Sequence, residues 1–140
     1  MADGASQVNV RWIEGKRLEV SAGGNRLIVD QVSADGRGNT GFRPTDLLLG
    51  ALGACTMGTV LNFCNNMKIP IESFEIDVEG KRDTAPERVS EIQISLNLAG
   101  DIPEERLETL KRVAGGCRIH YTIKHSPKIE TKLKVGEKTV

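Results

Sequence analysis

Neither sign of charge is in excess in this chain: nineteen lysines and arginines meet nineteen aspartates and glutamates over 140 residues. That balance argues against a nucleic acid or an anionic membrane as partner, since both select for a basic surface. An export-type start is also missing, because Met1 is followed by Ala-Asp-Gly-Ala-Ser-Gln, with neither basic residues nor an apolar core. Cysteine is scarce and odd in number, three in all, which does not suit a disulfide-stapled secreted scaffold. These absences together predict reduced thiols in a cytoplasm. No repeat, low-complexity tract or linker interrupts the sequence, and its length suits one core, so a single domain over 1–140 is expected, with 1–7 frayed. At 39% apolar and 27% charged residues, the composition is that of an ordinary folded domain rather than a disordered chain.

Common catalytic signatures are absent as well. Gly50-x-x-Gly53 lies inside a helical pattern and no Gly-Lys-Ser/Thr follows it, which disfavours a phosphate-binding loop. There is no Gly-x-Ser-x-Gly elbow and no His-Glu-x-x-His pair, so the usual hydrolase chemistries have no support. A zinc site normally needs two tight ligand pairs, and here Cys117 and His120 form a single loose one, with His125 beyond and Cys55 far upstream. No metal or other cofactor is expected.

What is present reads as α+β. Val8, Val10 and Trp12 alternate with polar residues as on a half-buried strand; Leu18 and Val20, then Leu27–Val29, continue an antiparallel meander through turns at 14–16 and 21–25. A glycine-rich loop spans Ser33–Gly41. From Leu47 to Met67 no residue is charged, twenty-one positions in a row. That length could cross a bilayer, but the run holds Thr56, Thr59, Asn62, Asn65, Asn66 and three glycines, and its flanks lack an aromatic belt. A helix at the centre of a globular core is the better reading, with Pro44 in its first turn and Asn65-Asn66 before Pro70 at its end. Gly50, Ala54 and Gly58 form a small-residue stripe along it, which allows close approach by another element. Phe74, Ile76 and Val78, and later Ile92 to Leu98, alternate as two strands of a charged hairpin around 83–86. Asp101 is the expected N-cap of a helix through Leu107, Leu110, Val113 and Ala114 that Gly115-Gly116 stops. A short helical piece over 118–126 and a last strand through Ile129, Thr131, Leu133 and Val135 complete the chain.

The cysteines carry the candidate chemistry. Cys55, in mid-helix, reads either as a small hydrophobe or as a reactive thiol. Cys117 follows a double glycine, where a side chain is presented rather than packed and where unpaired N–H groups favour a thiolate. Cys64 is nine residues beyond Cys55, so it points to the other side of the same helix and reads as core.

The run Arg43-Pro44-Thr45-Asp46-Leu47-Leu48-Leu49-Gly50-Ala51-Leu52-Gly53-Ala54-Cys55-Thr56 resembles the central-helix motif of the OsmC/Ohr family, the osmotically inducible and organic hydroperoxide resistance proteins. Gly116-Cys117-Arg118-Ile119-His120 resembles that family's second cysteine motif, and the two strands and helix between the motifs agree with it. The details look most like the OsmC-like branch. The resemblance implies an OsmC-like fold, antiparallel sheets around a long central helix, in an intertwined homodimer. It implies thiol-dependent reduction of small-molecule hydroperoxides, with Cys55 the peroxidatic residue, Cys117 the resolving one, and a thiol or dithiol as reductant. A mid-helix thiol gains little from its own helix dipole, so a cation is expected beside Cys55. The resemblance implies an arginine from the N-terminal strands, steadied by a carboxylate. Arg17 is the best positional match, with Arg11 and Arg43 competing, and Asp46 is the candidate carboxylate, one residue beyond the family's glutamate position, which Thr45 holds. Asp46 also reads as a first-turn helix cap. The alternative to an enzyme is a dimer that keeps the scaffold and binds an apolar small molecule or senses oxidation.

Overall fold

The computed structural model describes residues 5–30 and 41–140. The expected glycine-rich loop therefore lies outside the described residues except for Gly41, as does the start of the segment expected to fray. Three strands form an antiparallel sheet in the order β1 (Asn9–Glu14), β2 (Arg17–Ala22), β3 (Asn25–Asp30). The long helix α1 runs over Pro44–Asn66, followed by the hairpin of β4 (Ser73–Asp83) and β5 (Arg88–Ala99). A 3₁₀ turn at Glu104–Arg106 leads into α2 (Leu107–Ala114), then α3 (Arg118–Lys124) and a two-residue hairpin of β6 (Lys134–Val135) and β7 (Lys138–Thr139). The mixed helix and antiparallel-sheet arrangement is the one expected from the sequence pattern.

The chain packs as two compact units, one from Met1–Ala51 with Val78–Gln93, the other from Leu52–Asp77 with Ile94–Val140. In the first, the meander is extended by Phe42, which exchanges backbone hydrogen bonds with β3: Asp30 N–H donates to Phe42 O at 3.0 Å and Phe42 N–H to Ile28 O at 3.1 Å. This fixes the entry into α1. Arg43 caps the helix, and Asp46, three residues in, reaches back to accept its backbone N–H at 3.1 Å, one half of a capping box. Within the same unit, Gly80 on β4 lets α1 come close: a Cβ there would stand 3.2 Å from Leu49 Cδ1 and 3.1 Å from Val89 Cγ1.

The second unit holds the core. Val60, Cys64, Ile69, Leu110 and Ala114 are buried together, with Phe63, Phe74, Leu96, Leu98 and Val113 packed against them. On α1 the buried residues are Leu52, Thr56, Val60 and Cys64, spaced by four as one helical face requires. Burying an apolar side chain of this size contributes about 1.5–3 kcal/mol, so this stripe and the facing side of α2 account for much of the unit's cohesion.

Three expectations change. The uncharged helix is not buried all round in the single chain: Leu48 and Leu61 are more than two-fifths exposed, and nothing lies within 4 Å of a Cβ placed at Gly50 or Gly58. α1 is long and apolar enough to cross a membrane by length and composition, yet one face of it is spent on protein core. Asp101 caps nothing; Pro103 precedes the 3₁₀ turn, whose start has no side-chain cap, because the chain enters α2 through that tighter turn. The last strand is far shorter than 129–135. Ile129 and Leu133 are exposed; Lys134 and Val135 pair with β7, and Leu133 exchanges backbone hydrogen bonds with Val140 at 2.8 and 2.7 Å, so the pairing covers only the end of the expected strand.

Candidate active site

α2 ends where the double glycine predicts. Gly115 N–H donates to Arg112 O at 3.1 Å and Gly116 N–H to Val113 O at 2.9 Å, which closes the last turn. Cys117 then takes an extended conformation (φ −85°, ψ 152°) and becomes the N-cap of α3. Its Sγ accepts the backbone N–H of His120 at 3.2 Å, the role a serine or aspartate oxygen plays at other helix starts. The residue is 1% exposed, and its sulfur also shares a hydrogen bond with Thr56 Oγ1 at 3.6 Å.

Thr56 is the neighbour of Cys55 on α1, so this contact brings the two cysteine segments together. Cys55 is half-buried at the edge of the core face. Hydrogen bonding from the Ile119 backbone N–H holds its thiol below the ordinary range; burial opposes this, and the Cys117 side chain, the Arg118 N–H and last the Arg118 charge add to the lowering. Backbone donors at the start of α3 thus lead the lowering, with the Arg118 charge its smallest part. Cys64 behaves in the opposite way. Burial in the apolar core pushes its thiol up, with no donor to offset it.

The arginine candidates all belong to the first unit and each meets a carboxylate. Arg11 pairs with Glu19 at 3.0 Å, Arg17 with Glu14 at 3.6 Å, and Arg43 with Asp46 at 3.1 Å. Arg17 stands opposite Asp30 in the β2–β3 register, and its Nε is buried without a hydrogen-bond partner among the described residues. Asp46 takes both Nε and Nη2 of Arg43, which holds its carboxyl below the usual range. Asp46 thus pairs with Arg43, one turn of chain away, within the first unit. Among the described residues no three His, Cys, Asp or Glu side chains gather as a metal site.

A cavity of about 530 Å³ opens in the second unit, lined mainly by apolar residues such as Leu96, Leu98 and Leu110, with Lys111, Thr56 and His120 as its polar members. Sequence reasoning missed Thr56 and the N–H donors on Cys55. The signal for the donors was present in Gly-Gly-Cys followed by a helix, whose first N–H groups lack partners; what could not be read was that those of 118 and 119 act on Cys55 while that of His120 goes to Cys117.

This combination of a meander, a long helix carrying Cys55 and Cys64, and a third cysteine capping a short helix defines a known class. The chain belongs to the OsmC-like protein family, whose model matches residues 36–132. Among solved structures, the OsmC-like protein from Mycoplasma pneumoniae is 20% identical, with a TM-score of 0.78 over 89% of this chain and 90% of that one. The organic hydroperoxide resistance protein OsmC from Legionella pneumophila is 19% identical, with a TM-score of 0.64 over 89% of this chain and 93% of that one. The organic hydroperoxide resistance protein OhrB of Bacillus subtilis is 20% identical, with a TM-score of 0.61 over 89% and 94% respectively. At these identities the likeness is one of fold. No curated protein matches the sequence significantly.

Proposed function

We propose that this protein is a thiol-dependent peroxidase that reduces organic hydroperoxides, with Cys55 as the attacking thiol and Cys117 as the resolving one. The observation that carries the reading is the meeting of the two cysteine segments: Thr56, next to Cys55 on α1, shares a hydrogen bond with Cys117 Sγ at 3.6 Å, and the backbone N–H groups at 118 and 119 hold the Cys55 thiol below its ordinary range. The names of the solved relatives in Legionella and Bacillus, both hydroperoxide resistance proteins, support the substrate class.

In this scheme the Cys55 thiolate attacks the terminal oxygen of R–O–OH. An S–O bond forms, the O–O bond breaks, and the alkoxide leaves and takes up a proton to become the alcohol. Cys55 becomes a sulfenic acid. Cys117 then attacks that sulfur, giving the Cys55–Cys117 disulfide and water. A thiol or dithiol reductant restores both thiols by exchange. The donors at 118 and 119 favour the thiolate before attack.

The same reading includes a cytoplasmic homodimer, assembled on the exposed face of α1. That face carries Leu48, Gly50, Ala51, Ala54, Gly58 and Leu61, exposed in the single chain and all uncharged. The test is hydroperoxide consumption with dithiothreitol as reductant. Cys55→Ser should abolish turnover, while Cys117→Ser should leave Cys55 oxidation but stop intramolecular disulfide formation. Undiminished turnover in Cys55→Ser would overturn the proposal. A second reading, a small-molecule-binding dimer, draws on the apolar cavity, whose lining includes neither Cys55 nor Cys117. Tight binding of an apolar ligand with no peroxide consumption would favour it.

A further inference from the structure

Thr56 is fully buried on the core face of α1, and its hydroxyl does something unusual for a helical threonine. Thr59 donates back to Cys55 O at 2.8 Å and Thr122 to Arg118 O at 2.8 Å, each bonding a carbonyl of its own helix one turn earlier. Thr56 instead turns to Cys117 Sγ. Sixty-one residues separate the two in sequence. A buried hydroxyl that abandons the nearby carbonyl must satisfy itself on the sulfur.

The direction of that bond follows from proton counting. A thiol has one proton. In the resolving step Cys117 gives that proton up, because the thiolate is the form that attacks sulfur. The Cys117 sulfur can then only accept from its neighbours, so Thr56 O–H donates to it, as the His120 N–H does at 3.2 Å. Two donors converge on one buried sulfur.

We propose that Thr56 is a positioning residue for the resolving step: its hydroxyl aims Cys117 at Cys55 and receives the negative charge that gathers on the Cys117 sulfur during attack. The inference rests on the peroxidase reading above. In the step concerned, Cys117 S–H loses its proton to the hydroxide leaving Cys55, the S–O bond breaks, the S–S bond forms, and water departs. No external electrons are needed, because the sulfenic acid is the oxidant and Cys117 the reductant. During the transfer the Cys117 sulfur is briefly thiolate-like inside a pocket that excludes water, which is where a preorganised donor has its greatest effect.

The experiment compares wild type, Thr56→Val and Thr56→Ser after one equivalent of cumene hydroperoxide in rapid-mixing conditions. Sulfenic acid is trapped with a 1,3-dione and the disulfide is read by mass spectrometry. Val keeps the shape of Thr and removes the donor; Ser restores the donor. The expected result is a disulfide-forming rate about ten- to a hundredfold lower relative to the Cys55 oxidation rate in Thr56→Val, recovered in Thr56→Ser. Should Thr56→Val fail to fold, Thr56→Ala carries the same comparison. An unchanged ratio, or a lowered ratio that Ser does not recover, overturns the inference while leaving the peroxidase reading intact. Wild-type Cys55 that resists oxidation altogether overturns both.

Discussion

Gly58 offers a test whose sign depends on whether α1 is partnered. In the single chain a Cβ at this position meets nothing within 4 Å, and the same is true of Gly50, two steps of the stripe earlier. The two glycines are about 12 Å apart along the helix axis at its usual rise. For a freestanding chain, Gly58→Leu is a helix-propensity gain of about 0.8 kcal/mol with no clash, equal to a Tm rise of roughly 2–3 °C in a protein of this size. In a homodimer packed on the small-residue stripe, the same leucine forces helices apart. Overpacking of that kind costs about 1–3 kcal/mol per site and, in a twofold assembly, the change appears in both copies. The net sign reverses. Light scattering behind gel filtration should give a wild-type mass twice that of the chain, and Gly58→Leu should shift it toward the single chain while lowering Tm. A Gly58→Leu protein that melts about 2 °C higher with its mass unchanged refutes the reasoning.

Two further outcomes follow from the electrostatics. Because hydrogen bonds from 118 and 119 lower the Cys55 pKa, its alkylation by iodoacetamide should reach half-maximal rate at a lower pH than a free cysteine does, and Cys117→Ala should move that midpoint upward; an unmoved midpoint removes Cys117 from the thiolate's support. Asp46 has a pKa lowered by Arg43, so its contribution to stability is complete above the usual carboxylate range and disappears as pH falls through its folded-state value. Asp46→Ala should therefore lower Tm slightly at neutral pH, and the difference from wild type should vanish in acid; a difference that persists there points to packing instead.

Much of the fold was legible because local periodicity and packing agree. β4 and β5 alternate half-buried apolar residues such as Ile94, Leu96 and Leu98 with exposed neighbours, as a strand with one covered face must. Gly115-Gly116 ends α2 as read. The last strand is shorter for an equally physical reason: alternation at Ile129 to Val135 states a capacity to pair, and among the described residues the edge it meets is β7 with Val140, which reaches back only to Leu133. At the site, both cysteines were legible by motif. Their supports were not, since a hydroxyl at 56 and N–H groups at 118 and 119 are ordinary residues whose effect exists only once distant segments meet.

The two cysteines of α1 sharpen that point. Cys55 and Cys64 are the same side chain on the same helix, about 180° apart around its axis. Burial alone governs Cys64 and pushes its thiol up; burial also acts on Cys55, but the Ile119 N–H outweighs it and the shift is downward. A helix position therefore does not make a thiol reactive; what is set against it does. Those donors come from a segment aimed at α1 by the Gly115-Gly116 turn and by a cysteine that caps its own helix. Loosening that turn should leave Cys55 with burial and no donors, the condition Cys64 already occupies, and the difference in reactivity between the two thiols should close before the core of the unit melts.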